Sequence, residues 1–371
     1  MIPQTDPKAG YLAQRAEIDA AIQRVLDGGR YILGEEVAAF EREFAAFANA
    51  GHGIAVASGT DALILALRAI DIGPGDCVIT VSHTAVATVA AIELTGAQAL
   101  LLDVDAGYGL DPAQLEATLK AWPAAAAKPK AIIPVHLYGQ AADMPAIAAI
   151  AEKHGLAIIE DGSQAHGAKL NGIGIGHWGK LAAYSLYPTK NLGAIGDGGI
   201  ITTDDAALDA KLRELREYGW RERYVSAIAG MNSRLDPLQA AILRVKLTHL
   251  QADTESRRAI AARYDAGLAD VKAISLPRTR PGALPVYHQY VIETDNREAV
   301  RAKLTERGVG TLVHYPVPVH LQPAYKGRVP LGIGGLKRTE DAALRVISLP
   351  MFPQLSDAQA DQVIAAVRAS V

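Results

Sequence analysis

Seven short apolar runs constrain this chain more than any other feature. "GIAVA" (53–57), "CVITV" (77–81), "ALLLDV" (99–104), "AIIPVHL" (131–137), "LAIIED" (156–161), "LAAYSLY" (181–187) and "GIITT" (199–203) have strand length and little polar alternation. Continuous runs of this kind suit strands covered on both faces. Between them lie "DALILALRAI", "TAVATVAAIEL", "DPAQLEATLK", "DMPAIAAIAEKHG" and "DDAALDAKLRELREYG". Several of these open on Asp or Thr, whose side chains accept hydrogen bonds from the free amides of a helix start. Strand and helix in turn predict a mainly parallel α/β sheet.

The pattern changes from Asn232. "NSRLDPLQAAILRVKLTHLQADTESRRAIAARYDAGLAD" reads as long helices, followed by a single clear strand, "YHQYVIE" (287–293). A helix in "REAVRAKLTERG", a Pro-rich loop "HYPVPVHLQP" and a terminal helix in "SDAQADQVIAAVRASV" complete the chain. At 371 residues it exceeds the usual single core. The expected division is a large α/β domain over 1–250 and a smaller C-terminal α/β domain over 251–371. "AWPAAAAKPK" (121–130) is expected to be a surface connection, its prolines disfavouring one continuous helix.

A formal net charge of −3 and the absence of any Lys/Arg run argue against a nucleic-acid partner. Cys77, the single cysteine, cannot form an internal disulfide. The N-terminal segment lacks a basic region followed by an apolar one, and no apolar stretch has bilayer length. A cytoplasmic protein without a membrane partner is expected, and no metal ligand set is assigned.

Two apparent phosphate motifs coincide at "GIGHWGKL" (174–181), which matches G-x-G-x-x-G and nearly matches Walker A. A dinucleotide loop follows a strand and opens a helix; this one precedes the apolar run "LAAYSLY". Leu181 also stands where Walker A needs a hydroxyl for Mg²⁺. A plain glycine-rich turn is the expectation. A stronger anion site is "AVASGTDALILALRAI" (55–70), where a strand runs through Ser58, Gly59 and Thr60 directly into a helix. The first-turn amides of such a helix point at the strand's C-terminal edge.

Asp161 ends one apolar run and Lys190 follows another in "SLYPTKNLGAIGDGG" (185–199). Both therefore fall at carboxyl ends of strands, where ligands of open α/β sheets sit. An amine for a Schiff base, a carboxylate for a pyridinium nitrogen and an anion cradle together meet the needs of pyridoxal 5′-phosphate. Taken singly, Asp161 reads as a turn acid and Lys190 as a surface cation.

Beyond this, the chain resembles the DegT/DnrJ/EryC1/StrS sugar aminotransferases, of the fold type I, aspartate-aminotransferase-like superfamily. The resemblance runs over nearly the whole length. It is carried by "GRYILGEEVAAFEREFA", "SGTDALILAL", "GPGDCVIT", "AIIPVHLYGQAADM", "IEDGSQAHGA", "SLYPTKNLGAIGDGG", "MNSRLDPLQAAILRVKL" and "SLPMFP". It implies a large domain with a mainly parallel seven-stranded sheet and a smaller C-terminal domain. It also implies that Lys190 forms the Schiff base, Asp161 pairs with the ring nitrogen and Gln164 lies against the ring oxygen. Ser185, Gly59 and Thr60, with Ser58 beside them, would hold the phosphate. Asn232 would reach the cofactor of a neighbouring subunit, making a homodimer with shared active sites. Relatives often carry a ring-stacking aromatic after a threonine; here the pair is Thr84-Ala85. His83 is either its substitute or a plain hydrogen-bonded histidine.

The family further implies transfer of an amino group from L-glutamate to a keto sugar nucleotide. "SHTAVAT" with "HYPVPVHLQPAY" is more similar to members that aminate C-3 of a dTDP-3-keto-6-deoxyhexose than to the C-4 group. Arg221, Arg223 and Tyr224 in "WRERY" are candidates for the diphosphate, or a solvated face. His314, Tyr315 and His320 are candidates for the sugar pocket, or packing of the Pro-rich loop. A C-4 or keto-inositol substrate and a non-catalytic regulatory role stand as alternatives.

Overall fold

The computed structural model describes residues 1–123 and 129–371, so part of the expected connection 121–130 lies outside the described residues. All seven apolar runs form strands of one sheet: β1 (His52–Val56), β2 (Cys77–Val81), β3 (Gln98–Leu102), β4 (Pro129–Ile132), β5 (Ala157–Asp161), β6 (Leu181–Ser185) and β7 (Gly199–Thr203). Their order is β1-β7-β6-β5-β4-β2-β3. The pairs β2·β3, β2·β4, β4·β5 and β5·β6 are parallel, while β7 runs antiparallel to both β6 and β1.

Alternation along the strands shows that both faces are covered. In β2, Cys77, Ile79 and Val81 enter a core that holds Phe40 and Phe44 of the helix Glu35–Ala48. Val78 enters the opposite core, which contains Leu63, Leu65 and Leu67 of the helix Gly59–Ala69. Successive side chains of a strand point to opposite faces, so a run apolar at nearly every position needs a layer on each side.

A helix of 32 residues, Pro237–Leu268, leaves this region. Its second half supplies Ile260, Ala261, Tyr264 and Leu268 to a separate core. That core is completed by β8 (Tyr290–Glu293) and β9 (Val346–Leu349), an antiparallel pair, and by the helix Asp357–Arg368. Residue 250, the expected boundary, lies inside the uninterrupted helix. Ile2 also joins this C-terminal core: its amide donates to the Gly308 carbonyl at 2.7 Å and its carbonyl accepts from the Gly310 amide at 2.8 Å.

The false phosphate motif has a structural explanation. The loop at 174–179 wraps the carboxylate of Glu160, which is fully buried. Glu160 Oε2 accepts from the Gly176 amide at 2.9 Å, and Oε1 from the Trp178 and Gly179 amides at 2.8 and 3.0 Å. His136, also fully buried, stands 3.0 Å from Oε2 through Nε2. Its Nδ1 accepts from the Ala142 amide, so Nε2 carries the proton and donates to Glu160. Glycine serves here as it would around a phosphate: Gly176 has φ +98°, and a Cβ at Gly179 would stand 2.5 Å from the Ile158 carbonyl oxygen. The anion is the chain's own.

Removing that carboxylate strands three amides and an imidazole N–H in the interior. Glu160→Ala is expected to lower the unfolding free energy by about 3 kcal/mol or more, since each buried donor left unsatisfied costs about 1–3 kcal/mol. Urea titration measures this, and a loss below about 1 kcal/mol, the size of a single ordinary hydrogen bond, would contradict the arrangement.

Candidate active site

At the carboxyl ends of β5 and β6 a cavity of about 240 Å³ opens, lined by Ser58, Gly59, Thr60, Asp161, Gln164, Ser185 and Lys190 among others. Seven of the residues singled out from the sequence thus meet in one place. The same cavity is lined by Thr84 and Ala85, the pair noted in the sequence, and by Thr88, Ser163, Tyr187 and Asp197, which the sequence reading did not single out.

One wall is the start of the helix Gly59–Ala69. Ser58 caps it, its hydroxyl accepting from the Asp61 amide at 3.1 Å. Asp61 is anchored in turn by Ser233, whose hydroxyl donates to its carboxylate at 2.7 Å and accepts from the Ala57 amide at 3.0 Å. Close approach is built into this corner. A Cβ at Gly59 would stand 2.5 Å from Ser185 Cβ, and one at Gly199 would stand 2.2 Å from the Ser58 carbonyl oxygen. Free first-turn amides and nearby hydroxyls make this an anion-binding corner.

Asp161, at the end of β5, is 4% exposed. Its Oδ2 accepts from Thr88 Oγ1 at 2.9 Å and its Oδ1 from the Ser163 amide at 3.1 Å. A buried carboxylate needs such donors. Gln164 has its orientation fixed by the backbone: Oε1 accepts from the Tyr138 amide at 2.8 Å, so Nε2 is the free end. That end donates to the Tyr315 hydroxyl at 3.1 Å, which brings one residue of the Pro-rich loop to the site. Burial pushes the Tyr315 phenol up to about 12.

Lys190 follows the end of β6 through a tight turn in which its amide donates to the Tyr187 carbonyl. Burial lowers its amine to about 8, and the nearby Asp161 charge works in the opposite direction. A buried lysine of this kind is neutral often enough near neutral pH to act as nucleophile or base.

Other candidates lie elsewhere. His83 is fully buried and not among the lining residues; its Nε2 lies 2.8 Å from the Tyr138 hydroxyl, which itself donates to the His314 carbonyl. Burial lowers its imidazole to about 4. His83 thus makes a hydrogen bond to Tyr138, while Ala85 lines the cavity. His320 is held by Ser82 at 2.7 Å and Glu340 at 3.1 Å, and His314 by Ser348 at 2.8 Å. Arg221, Arg223 and Tyr224 are exposed on a small hairpin; Arg221 pairs with Glu214, and Arg223 stacks over Tyr224. Asn232 is exposed and outside this cavity, although its neighbour Ser233 is fully buried against Asp61.

An anion corner, an amine and a hydrogen-bonded carboxylate around one cavity fit pyridoxal phosphate. The profile of the DegT/DnrJ/EryC1/StrS aminotransferase family matches residues 13–368. The chain belongs to this family. It is 48% identical, over 99% of its length and 95% of the relative's, to the dTDP-3-amino-3,4,6-trideoxy-alpha-D-glucose transaminase of Streptomyces venezuelae. It is 45% identical, over 98% of its length and 96% of the relative's, to a pleiotropic regulatory protein of Geobacillus stearothermophilus. Among solved structures, DesV of S. venezuelae in complex with a ketimine intermediate superimposes with a TM-score of 0.94 at 49% identity, covering 99% of this chain and 98% of that one. The fold is that of the fold type I aminotransferases, pyridoxal phosphate is the cofactor, and the chain is an enzyme. Among the described residues, no helix is long and apolar enough to cross a membrane, and no group of three or more His, Cys, Asp or Glu is placed to hold a metal ion.

The lowered Lys190 amine gives a pH signature in cofactor-free protein. Below about 8 it is protonated and unreactive; above, it is neutral. Acylation of Lys190 by a limiting reagent, read by peptide mass spectrometry, is expected to rise with pH and level off with a midpoint near 8. A midpoint at the ordinary lysine value of about 10.4 would show that the amine is not desolvated.

Proposed function

We propose that this chain moves the amino group of L-glutamate to the 3-keto group of a dTDP-3-keto-6-deoxyhexose. The observation that carries the reading is the meeting of Lys190 and Asp161 on one cavity that also receives the helix start at Ser58–Thr60. The C-3 position and the dTDP carrier are supported by the likeness to a dTDP-3-amino sugar transaminase across almost the whole chain.

Pyridoxal phosphate, when bound, supplies an aldehyde carbon for the donor amine and a conjugated ring that takes up the electrons released at the donor's α carbon. The chain supplies the rest. Ser58, Gly59, Thr60 and Ser185 hold the phosphate through first-turn amides and hydroxyls. Asp161 would accept a hydrogen bond from the ring nitrogen, and Gln164 would present Nε2 to the ring oxygen. Lys190 Nζ would hold the cofactor covalently and, when free, would take up the proton that leaves the donor's α carbon, a role that its burial favours by lowering the amine. The same amine then returns a proton on the sugar half-reaction. Tyr315, tied to Gln164, and Tyr187, on the cavity wall, are positioned to meet the sugar.

A homodimer with shared sites completes this reading. Ser233 turns inward to the phosphate corner while Asn232 faces outward, as a residue would that serves a neighbouring subunit. The name of the Geobacillus relative raises a regulatory role for this chain too; an amine and an acid retained around one cavity favour chemistry.

Incubation with glutamate and a panel of dTDP- and UDP-linked 3-keto and 4-keto sugars and a keto-inositol, read by product mass and NMR, tests the substrate. Nitrogen at C-3 of the dTDP sugar is expected; turnover confined to another member overturns the assignment. Lys190→Ala is expected to reduce turnover roughly 1,000-fold or more, and Asp161→Asn by about 100-fold or more. Wild-type turnover by the lysine variant would remove the mechanism. Mixing Lys190→Ala with Asn232→Ala subunits is expected to restore activity well above either parent, since each hybrid regains one intact site. No recovery despite demonstrated subunit exchange would rule out sharing.

A further inference from the structure

We propose that Thr84 and Thr88 form a directional hydroxyl relay that fixes Asp161 as an acceptor and so keeps the proton it shares with the cofactor's ring nitrogen on the nitrogen. The inference rests on the pyridoxal phosphate reading given above.

Directionality follows from what each group is able to donate. A carboxylate only accepts, so the 2.9 Å contact between Thr88 Oγ1 and Asp161 Oδ2 uses the single proton of the Thr88 hydroxyl. Thr84 Oγ1 lies 3.0 Å from Thr88 Oγ1, and with that proton engaged Thr84 is the donor of the pair. The order is therefore Thr84 to Thr88 to Asp161. Both threonines line the cavity, and all three residues are buried, with Thr84 3%, Thr88 1% and Asp161 4% exposed.

The hydroxyls are not there for the helix. Thr88 lies in the first turn of Val86–Leu94, whose N-cap is Ala85 and which has no side-chain cap. A threonine at this helix start could have capped it; instead the Thr88 hydroxyl is turned to the carboxylate and the Thr84 hydroxyl to Thr88. With the Ser163 amide on Oδ1, each oxygen of Asp161 receives a donor. Donors aimed at a carboxylate stabilise its charged form. In a carboxylate–pyridinium pair, the better stabilised the carboxylate, the more firmly the shared proton stays on nitrogen. Hydrogen bonds in series polarise one another, so Thr84 strengthens the contact it does not itself make. Thr88 and Thr84 are thus positioning residues that act through Asp161.

The test uses cofactor labelled with ¹⁵N in the ring, bound to the full-length protein, and compares wild type, Thr88→Val, Thr88→Ser and Thr84→Val by NMR together with steady-state kinetics. Valine keeps the shape of threonine and removes the hydroxyl. The expected result is a protonated-ring shift in wild type, a displacement toward neutral pyridine in Thr88→Val, and a smaller displacement in the same direction in Thr84→Val. Turnover of Thr88→Val is expected to fall roughly tenfold or more, the effect of losing one charge-assisted hydrogen bond, with KM little changed. Thr88→Ser is expected to restore both the shift and the rate. Thr84→Val leaves both direct partners of Asp161 in place and carries the comparison if Thr88→Val folds poorly. An unaltered ring shift in the valine variants overturns the relay, as does a serine variant that behaves like valine. Wild-type protein that takes up no labelled cofactor overturns the parent reading and the relay with it, an outcome distinct from a bound ring that ignores position 88.

Discussion

Two adjacent carboxylates at the end of β5, turned to opposite sides of the sheet, are the constraint on which the rest depends. Glu160 is enclosed by three amides and His136, while Asp161 enters the cavity under Thr88 and Ser163. Side chains alternate along a strand, so a slip of one residue would exchange the two. Neither place suits the other acid. The amides around Glu160 and the hydroxyl facing Asp161 therefore fix the same register from both sides. The backbone adds its own restraint, with the Asp161 amide donating to Pro134 and its carbonyl accepting from His136.

The site balances opposed demands on one amine. Lys190 has to be neutral to attack and charged to hand a proton back. Burial favours the neutral form, the charge of Asp161 favours the ammonium, and the outcome near 8 leaves both forms accessible. Moving Asp161 away from the amine would push this balance further toward the neutral form. The hydrogen bonds that hold the acid in place thus also bear on the protonation of the free amine.

Much of this was legible in the sequence because it follows from local rules. The seven strands were visible as apolar runs, since a strand buried on both faces has no room for polar alternation. Ser58–Thr60, Asp161 and Lys190 were visible because a ligand site on such a sheet gathers at strand ends. The antiparallel course of β7 was not: its run reads like the others, and its direction is set by the neighbours it pairs with, Ser185 of β6 and Val56 of β1 both standing opposite Gly199. Thr88 was hidden by its setting, one of two hydroxyls in "TAVATVAAIEL", and Thr84 precedes the helix Val86–Leu94, so no helical spacing pointed to the pair. The loop "GIGHWG", expected to be a plain glycine-rich turn, does enclose an anion, the chain's own Glu160, because a pattern of glycines does not say whether a charge comes from a ligand or from the chain.

The seat of Ile2 in the C-terminal core bears on how the protein is made. Its neighbours there, Gly308 and Gly310 on the backbone and residues such as Val309 and Met351 in the core, leave the ribosome about three hundred positions later. The segment around Ile2 thus finds its place only after residues about three hundred positions further on have been made. The large sheet needs nothing from this segment, whereas the C-terminal core is complete only when Ile2 is seated in it.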